Sequence, residues 1–232
     1  VYEARAMTAR EAKRGVATAR GVALKRPGPP GGVRDTNRQK KSQAIRDAAL
    51  PLFLERGVEN VSVDDIMKAA RMAKGSFYRY FSDQSALVED LMAAVRDAVV
   101  DALEATCRDL ATASTRDAQV QAYKRVGEVL ATLLLEQPGP VRLYLQECRA
   151  PAVGARRPII ELSQLVTRYA LEMTTRAQQH GILKPIPAAV SALSVVGAAE
   201  RLLLAVLQGE DVGNVLEVPA AVTSLMFDGI IA

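Results

Sequence analysis

Between residues 42 and 91, apolar side chains recur at helical spacing in three successive stretches, and the intervals between them are short enough to hold only turns. A chain with that pattern must fold as two short helices against a longer one. The first helix is predicted from about Thr36 or Asn37 to Arg56. Ile45, Ala48, Ala49, Leu52 and Phe53 fill its apolar stripe, and Gly57 ends it. Pro51 falls inside and predicts a kink, because it removes a backbone hydrogen bond. The second helix begins at Ser62, whose hydroxyl can cap the free amides, with Asp65 three residues on. Val63, Ile66, Met67 and Ala70 form its core face, and Asp64 and Asp65 sit at the positive end of its dipole.

A turn of about three residues, Arg71-Met72-Ala73, leads to a third helical stretch, Lys74-Gly75-Ser76-Phe77-Tyr78-Arg79-Tyr80-Phe81. Phe77 and Phe81 lie four apart and should face a core. The remaining positions carry DNA-competent chemistry. Lys74 and Gly75 open the helix, where unpaired amides and the dipole attract phosphate, and Gly75 leaves room for a close backbone. Ser76, Tyr78, Arg79 and Tyr80 offer hydrogen bonds, and Arg79 can read guanine or hold phosphate. Helix, tight turn and helix make a helix-turn-helix whose second helix enters the major groove. The alternative, that both tyrosines pack a small bundle and both cations are solvated, leaves their crowding on one short helix unexplained. Ser62, and Arg38 and Lys41 with Arg34 and Lys40 near the start of the first helix, complete the candidate DNA-contacting set. For the four cations a solvated, fraying helix start is the competing reading.

These residues resemble the DNA-binding domain of the tetracycline-repressor (TetR) family over nearly the whole of 42–91. The match runs through Ala48-Ala49 to Phe53, Glu55-Arg56-Gly57, Val63-Asp64-Asp65-Ile66 and Lys74 to Phe81. The resemblance implies that 74–81 is the recognition helix, with Lys74, Tyr78 and Tyr80 meeting the DNA backbone. Three positions depart from the pattern. Arg71 replaces the usual turn glycine, Ala73 the usual capping Ser or Thr, and Gln84 a lysine that often touches phosphate. A lost side-chain cap costs about 1 kcal/mol, so the third helix is expected to fray without DNA.

Charge points the same way. Residues 1–41 hold eleven Lys/Arg against three Asp/Glu, 42–85 hold six of each, and 86–232 hold thirteen against seventeen, giving +4 overall. A basic end on an acidic body implies a polyanionic partner and says which end meets it. Residues 1–33, closing in Pro27-Gly28-Pro29-Pro30-Gly31-Gly32, read as a flexible basic arm and linker or, with Met7 near a chain that begins at Val1, as translation upstream of the true start. The helix-turn-helix domain is then 34–82, and 83–232 a helical regulatory and dimerisation domain. Cys107 and Cys148, far apart and outside any CxxC, read as free thiols of a reducing, cytoplasmic compartment. Residues 1–26 lack the apolar core of a signal peptide, and Glu200-Arg201 interrupt the apolar stretch 186–207, which favours a buried helix over a membrane span.

Beyond residue 82, Ser82-Asp83 should cap a helix reaching about Leu110. Further helices are predicted near 116–136, 139–149, 157–179, 187–208 and 216–230, with no alternating strand pattern, so the fold class is all-α. Tyr123, Leu134, Tyr144, Glu147, Arg149, Tyr169 and Met173 are candidate walls and anchors of a pocket for an unidentified small-molecule inducer, placed between the 83–110 helix and those at 116–136 and 157–179. The 187–208 stretch is apolar almost all round and must be covered on all sides. The family resemblance implies a homodimer through the last two long helices, with Ala198, Leu202, Val222 and Met226 as candidate interface residues. Enzyme readings are poor. His180 is the single histidine, beside Gly181 at a helix end, and GxSxG, GxxxxGK[ST] and HExxH are all missing. No catalytic residue, metal or cofactor is expected. The function indicated is a DNA-binding transcriptional regulator released by a ligand; the alternative is a helical DNA-binding regulator answering to a protein partner or to nothing.

Overall fold

The stripe of Ile45, Ala49 and Phe53 is fully buried, and the helix that carries it, α1, spans Val33–Arg56. It starts about three residues before the expected point, and Pro51 lies within it, facing solvent. The computed structural model describes residues 33–113, 115–181, 183, 185–214 and 217–228, and among these there is no β-strand. The arm expected over 1–33 lies outside the described residues except for Val33. Gly57 closes α1 at φ 80°, a left-handed conformation that costs glycine little, and its amide bonds to the Phe53 carbonyl at 2.8 Å. A 3₁₀ turn, Val58–Asn60, follows and buries Val58; the sequence pattern did not predict it.

Helix α2 spans Val63–Ala69 behind a complete capping box. Ser62 Oγ accepts from the Asp65 amide at 3.1 Å, and the Asp65 carboxylate accepts from the Ser62 amide at 3.0 Å. After it Arg71 adopts φ 55°, the one non-glycine in the left-handed region among the described residues. The family's glycine at this turn thus has a backbone reason, and arginine occupies the turn with strain of about 1–2 kcal/mol.

The expected α-helical recognition element is a 3₁₀ helix, Lys74–Arg79. Ala73, at its N-cap, makes no side-chain hydrogen bond, so the first turn tightens to satisfy its own amides; Ser76 N reaches Ala73 O at 2.9 Å.

Helix α3, Gln84–Thr112, opens with the Asp83 carboxylate accepting the Ala86 amide at 2.8 Å. Helices α4 (Arg116–Glu136), α5 (Pro138–Glu147), α6 (Arg157–Gln179), α7 (Ala188–Leu207) and α8 (Val218–Asp228) follow among the described residues, with a 3₁₀ turn at Gly154–Arg156 before α6. Leu87 and Val88 of the first half of α3 are buried in the same core as Phe53, Ile66 and Phe77, and its second half buries Leu103, Cys107 and Leu110, where α3 packs on α4 and α6. One helix therefore serves both the N-terminal helix-turn-helix domain and the C-terminal helical domain. Each large side chain fully buried there, Phe53 and Phe77 among them, contributes about 1.5–3 kcal/mol.

Candidate nucleic-acid interface and an apolar cavity

Two phenylalanines fix the orientation of the Lys74–Arg79 segment. Phe77 is fully buried and Phe81 nearly so, their rings 5.7 Å apart, which leaves the intervening side chains outside. Tyr78 is 62% exposed, its ring edge-on to Phe77 at 5.4 Å. Lys74, Gly75 and Arg79 are exposed, and Ser76 and Tyr80 are half-buried. The Ser76 hydroxyl donates to the Ala73 carbonyl at 2.6 Å, so it faces a partner as an acceptor. A Cβ at Gly75 would meet nothing within 4 Å, so the glycine is not needed there by the protein's own packing.

The α2 side supplies charge. Asp64 lies between Lys68, 2.7 Å away, and Lys74, 3.9 Å away. The Lys68 hydrogen bond holds the Asp64 carboxyl below the usual carboxylate range. Ser62 is exposed, but its hydroxyl is already engaged in the capping box. Arg38 and Lys41 are exposed on the first turns of α1. Gln84 donates to the carbonyls of Val58 at 3.0 Å and Val61 at 2.9 Å, so it pins the turn before α2 to the start of α3.

A cavity of about 170 Å³ lies between α4, α6, α7 and α8, with Leu103 as the single contribution of α3. Of the residues expected to wall a pocket, Tyr123, Leu134 and Met173 line this cavity. The other four expected wall residues do not, because each is engaged elsewhere. Tyr144 Oη donates to Glu200 at 2.9 Å, Arg149 pairs with the same carboxylate at 2.9 Å, and Tyr169 Oη donates to Glu104 at 2.9 Å. Glu147 accepts the Val58 amide at 2.9 Å and the Arg156 guanidinium at 2.6 Å. Burial raises the Tyr123 and Tyr144 hydroxyls well above the usual phenol range.

Two of the expected dimer residues are also placed differently. Leu202 and Val222 line the cavity, while Ala198 is exposed and the Met226 side chain lies outside the described residues. The large apolar side chains exposed on these helices, among the described residues, are Val190, Leu193 and Leu225, all more than half exposed. Sequence reasoning missed the wall residues that α7 provides, such as Val195, Val196 and Ala199. Their signal was the apolar run covered on all sides, whose inner face was not assigned to the pocket. By length and apolar content α7 would suit a membrane span, yet it walls the cavity and its Glu200 and Arg201 both pair with charged partners. Among the described residues no group of three or more His, Cys, Asp or Glu is placed to hold a metal ion.

Residues 45–91 match the family described as bacterial regulatory proteins, tetR family. The HTH-type transcriptional regulator YuxN of Bacillus subtilis is 28% identical over 113 residues, covering 49% of this chain and 37% of that protein. The matched stretch thus spans little more than a third of that relative's length. Among solved structures, the transcriptional regulator FadR of Bacillus subtilis, in complex with stearoyl-CoA, has a TM-score of 0.60 at 19% identity, covering 82% of this chain and 99% of its own. AibR, in complex with isovaleryl coenzyme A and operator DNA, has a TM-score of 0.57 at 19% identity, covering 81% and 98%. At these identities the structures establish the shared fold.

Proposed function

This chain belongs to the tetR family of bacterial regulatory proteins, and from that premise we propose that it is a sequence-specific repressor, binding operator DNA as a homodimer and released by a small apolar ligand. The observation that carries the reading is the segment Lys74–Arg79. It buries Phe77 and presents Lys74, Tyr78 and Arg79 together on the outside. A protein surface with no polyanionic partner has no use for a phenol and two cations on six residues, whereas a major groove uses all three. Lys74, Tyr78 and Tyr80 meet phosphates in this reading, and Arg79 reads a base or a phosphate.

The cavity favours a small-molecule effector over a protein partner. Among the described residues, none of the side chains lining it is charged. An ionised ligand group would be buried there unpaired, at a cost of several kcal/mol. An uncharged molecule, apolar but for one or two groups facing Tyr123, Thr174 or Thr223, fits the wall. An acyl chain such as those carried by the thioesters in the FadR and AibR structures meets that description.

The exposed Val190, Leu193 and Leu225 support pairing of α7 and α8 about a two-fold axis. Such a dimer would present two reading segments to half-sites on one face of the duplex. Selection of duplexes by the full chain from a random pool tests the reading directly. One sequence should be enriched, and Tyr78→Ala or Lys74→Ala should weaken its binding by about 1–3 kcal/mol with helicity intact. No enrichment, or unchanged affinity in both variants, overturns it.

A further inference from the structure

We propose that the Glu147 carboxylate is the joint through which the state of the cavity reaches the helix-turn-helix, with α5 as the lever; this rests on the ligand-released reading above. Both oxygens of Glu147 are used: Oε1 binds across the junction and Oε2 holds Arg156, which itself reaches across it. Oε1 accepts the Val58 amide at 2.9 Å, in the turn that leads straight to the Ser62 cap of α2. Oε2 accepts Arg156 Nε at 2.6 Å, and the Arg156 amide in turn donates to Glu59 at 3.0 Å. Arg156 is thereby gripped by one carboxylate from each domain.

The local sequence is shaped for this approach. A Cβ at Gly57 would stand 3.2 Å from Glu147 Oε1, and a Cβ at Gly154 would collide with the Glu59 carboxylate. Glu147 and Arg156 are well buried, at 7% and 15% side-chain exposure. A pair so enclosed resists salt, and the loss of either partner leaves a charge stranded.

The other end of the lever holds α7. Tyr144, one turn before Glu147, donates to Glu200, and Arg149 pairs with the same carboxylate. Glu200 directly follows Ala199, which lines the cavity, and α7 supplies seven wall residues where α3 supplies one. An occupant that pushes on Ala199 therefore displaces the carboxylate beside it, and with it α5. A ligand shifts an equilibrium only through an element that differs between the two states. The arm Ala199–Glu200–Tyr144–Glu147–Val58 runs without a break through chain neighbours, helix α5 and two hydrogen bonds, from the cavity wall to the turn before α2.

The test fills the cavity from within. Ala199→Phe on α7, with Ala170→Leu on α6 as a second filler should the first fail to fold, stands in for a bound ligand. Affinity for the duplex selected by the native chain is measured with each filler in the native, Glu147→Gln and Tyr144→Phe backgrounds. Circular dichroism checks folding. The cycle reads the ratio of affinities with and without the filler, so any change in starting affinity cancels. The filler should lower duplex affinity about ten-fold or more in the native background and less than about three-fold in the other two. An equal loss in all three backgrounds, or no loss from either filler in the native one, overturns the joint while leaving DNA binding intact. Failure of the native chain to select any duplex would instead remove the regulator reading on which the joint depends.

Discussion

Lys74 Nζ lies 3.9 Å from an Asp64 carboxylate that is already bonded to Lys68 at 2.7 Å, so the first cation of the reading segment shares its counter-ion with α2. Asp64 is a negative charge held beside the surface assigned to phosphate. Asp64→Asn should therefore raise duplex affinity several-fold and steepen its dependence on salt, because Lys74 no longer exchanges one anion for another. Affinity titrations at two or more salt concentrations check this. Lower affinity in Asp64→Asn would place the DNA away from Lys74.

Arg71 sits at φ 55° in the turn between α2 and the reading segment. Arg71→Gly should stabilise the protein by about 1 kcal/mol, the left-handed strain offset in part by the greater freedom of glycine when unfolded. Thermal or urea unfolding measures it. A less stable variant would mean that the Arg71 side chain makes up for its backbone.

Ala198 and Val222 separate two roles that the sequence merged. Ala198→Glu, on the exposed face of α7, should shift the protein toward monomers in sedimentation at micromolar concentration. Val222→Glu places a charge in the apolar cavity and should cost stability or ligand binding while leaving the oligomeric state alone. Monomers from Val222→Glu but not from Ala198→Glu would reverse the assignment of faces.

The capping box gives α2 an acid-sensitive start. Hydrogen bonds from the Ser62 side chain and backbone hold the Asp65 carboxyl below its ordinary value. A depressed folded value means the stabilisation is fully present above about pH 4 and disappears as the pH falls through the lowered value. Melting temperatures of native and Asp65→Asn protein should accordingly differ most above pH 4 and converge toward pH 2. A constant difference across that range would show that the carboxylate charge is not what Ser62 recognises.

Where structure was legible in the sequence, the signal was local. The helices expected at 116–136 and 157–179 are observed at those limits, and Ser62 with Asp65 forms the box its spacing announced. The two 3₁₀ turns at Val58–Asn60 and Gly154–Arg156 were not legible, because what holds them comes from far along the chain. Glu147 reaches Val58 across 89 positions, and Glu59 reaches Arg156 across 97. Four of the expected wall residues lie off the cavity for a different reason. An amphipathic pattern reports that a helix has an inner face, and α6 has Tyr169 bonded toward α3 and Ala170 on the cavity, one residue and about 100° apart. Which neighbour each direction meets depends on how the helices pack.

Gln84 uses one amide group on two carbonyls, those of Val58 and Val61. A lysine there would bring the cation that the family pattern often places against phosphate, but an ammonium aimed at DNA would leave two carbonyls of the turn before α2 without their staple. On the proposed reading, grip on DNA and stiffness of the turn before α2 thus compete for a single side chain. Variants selected for tighter operator binding should leave position 84 alone and acquire their charge elsewhere.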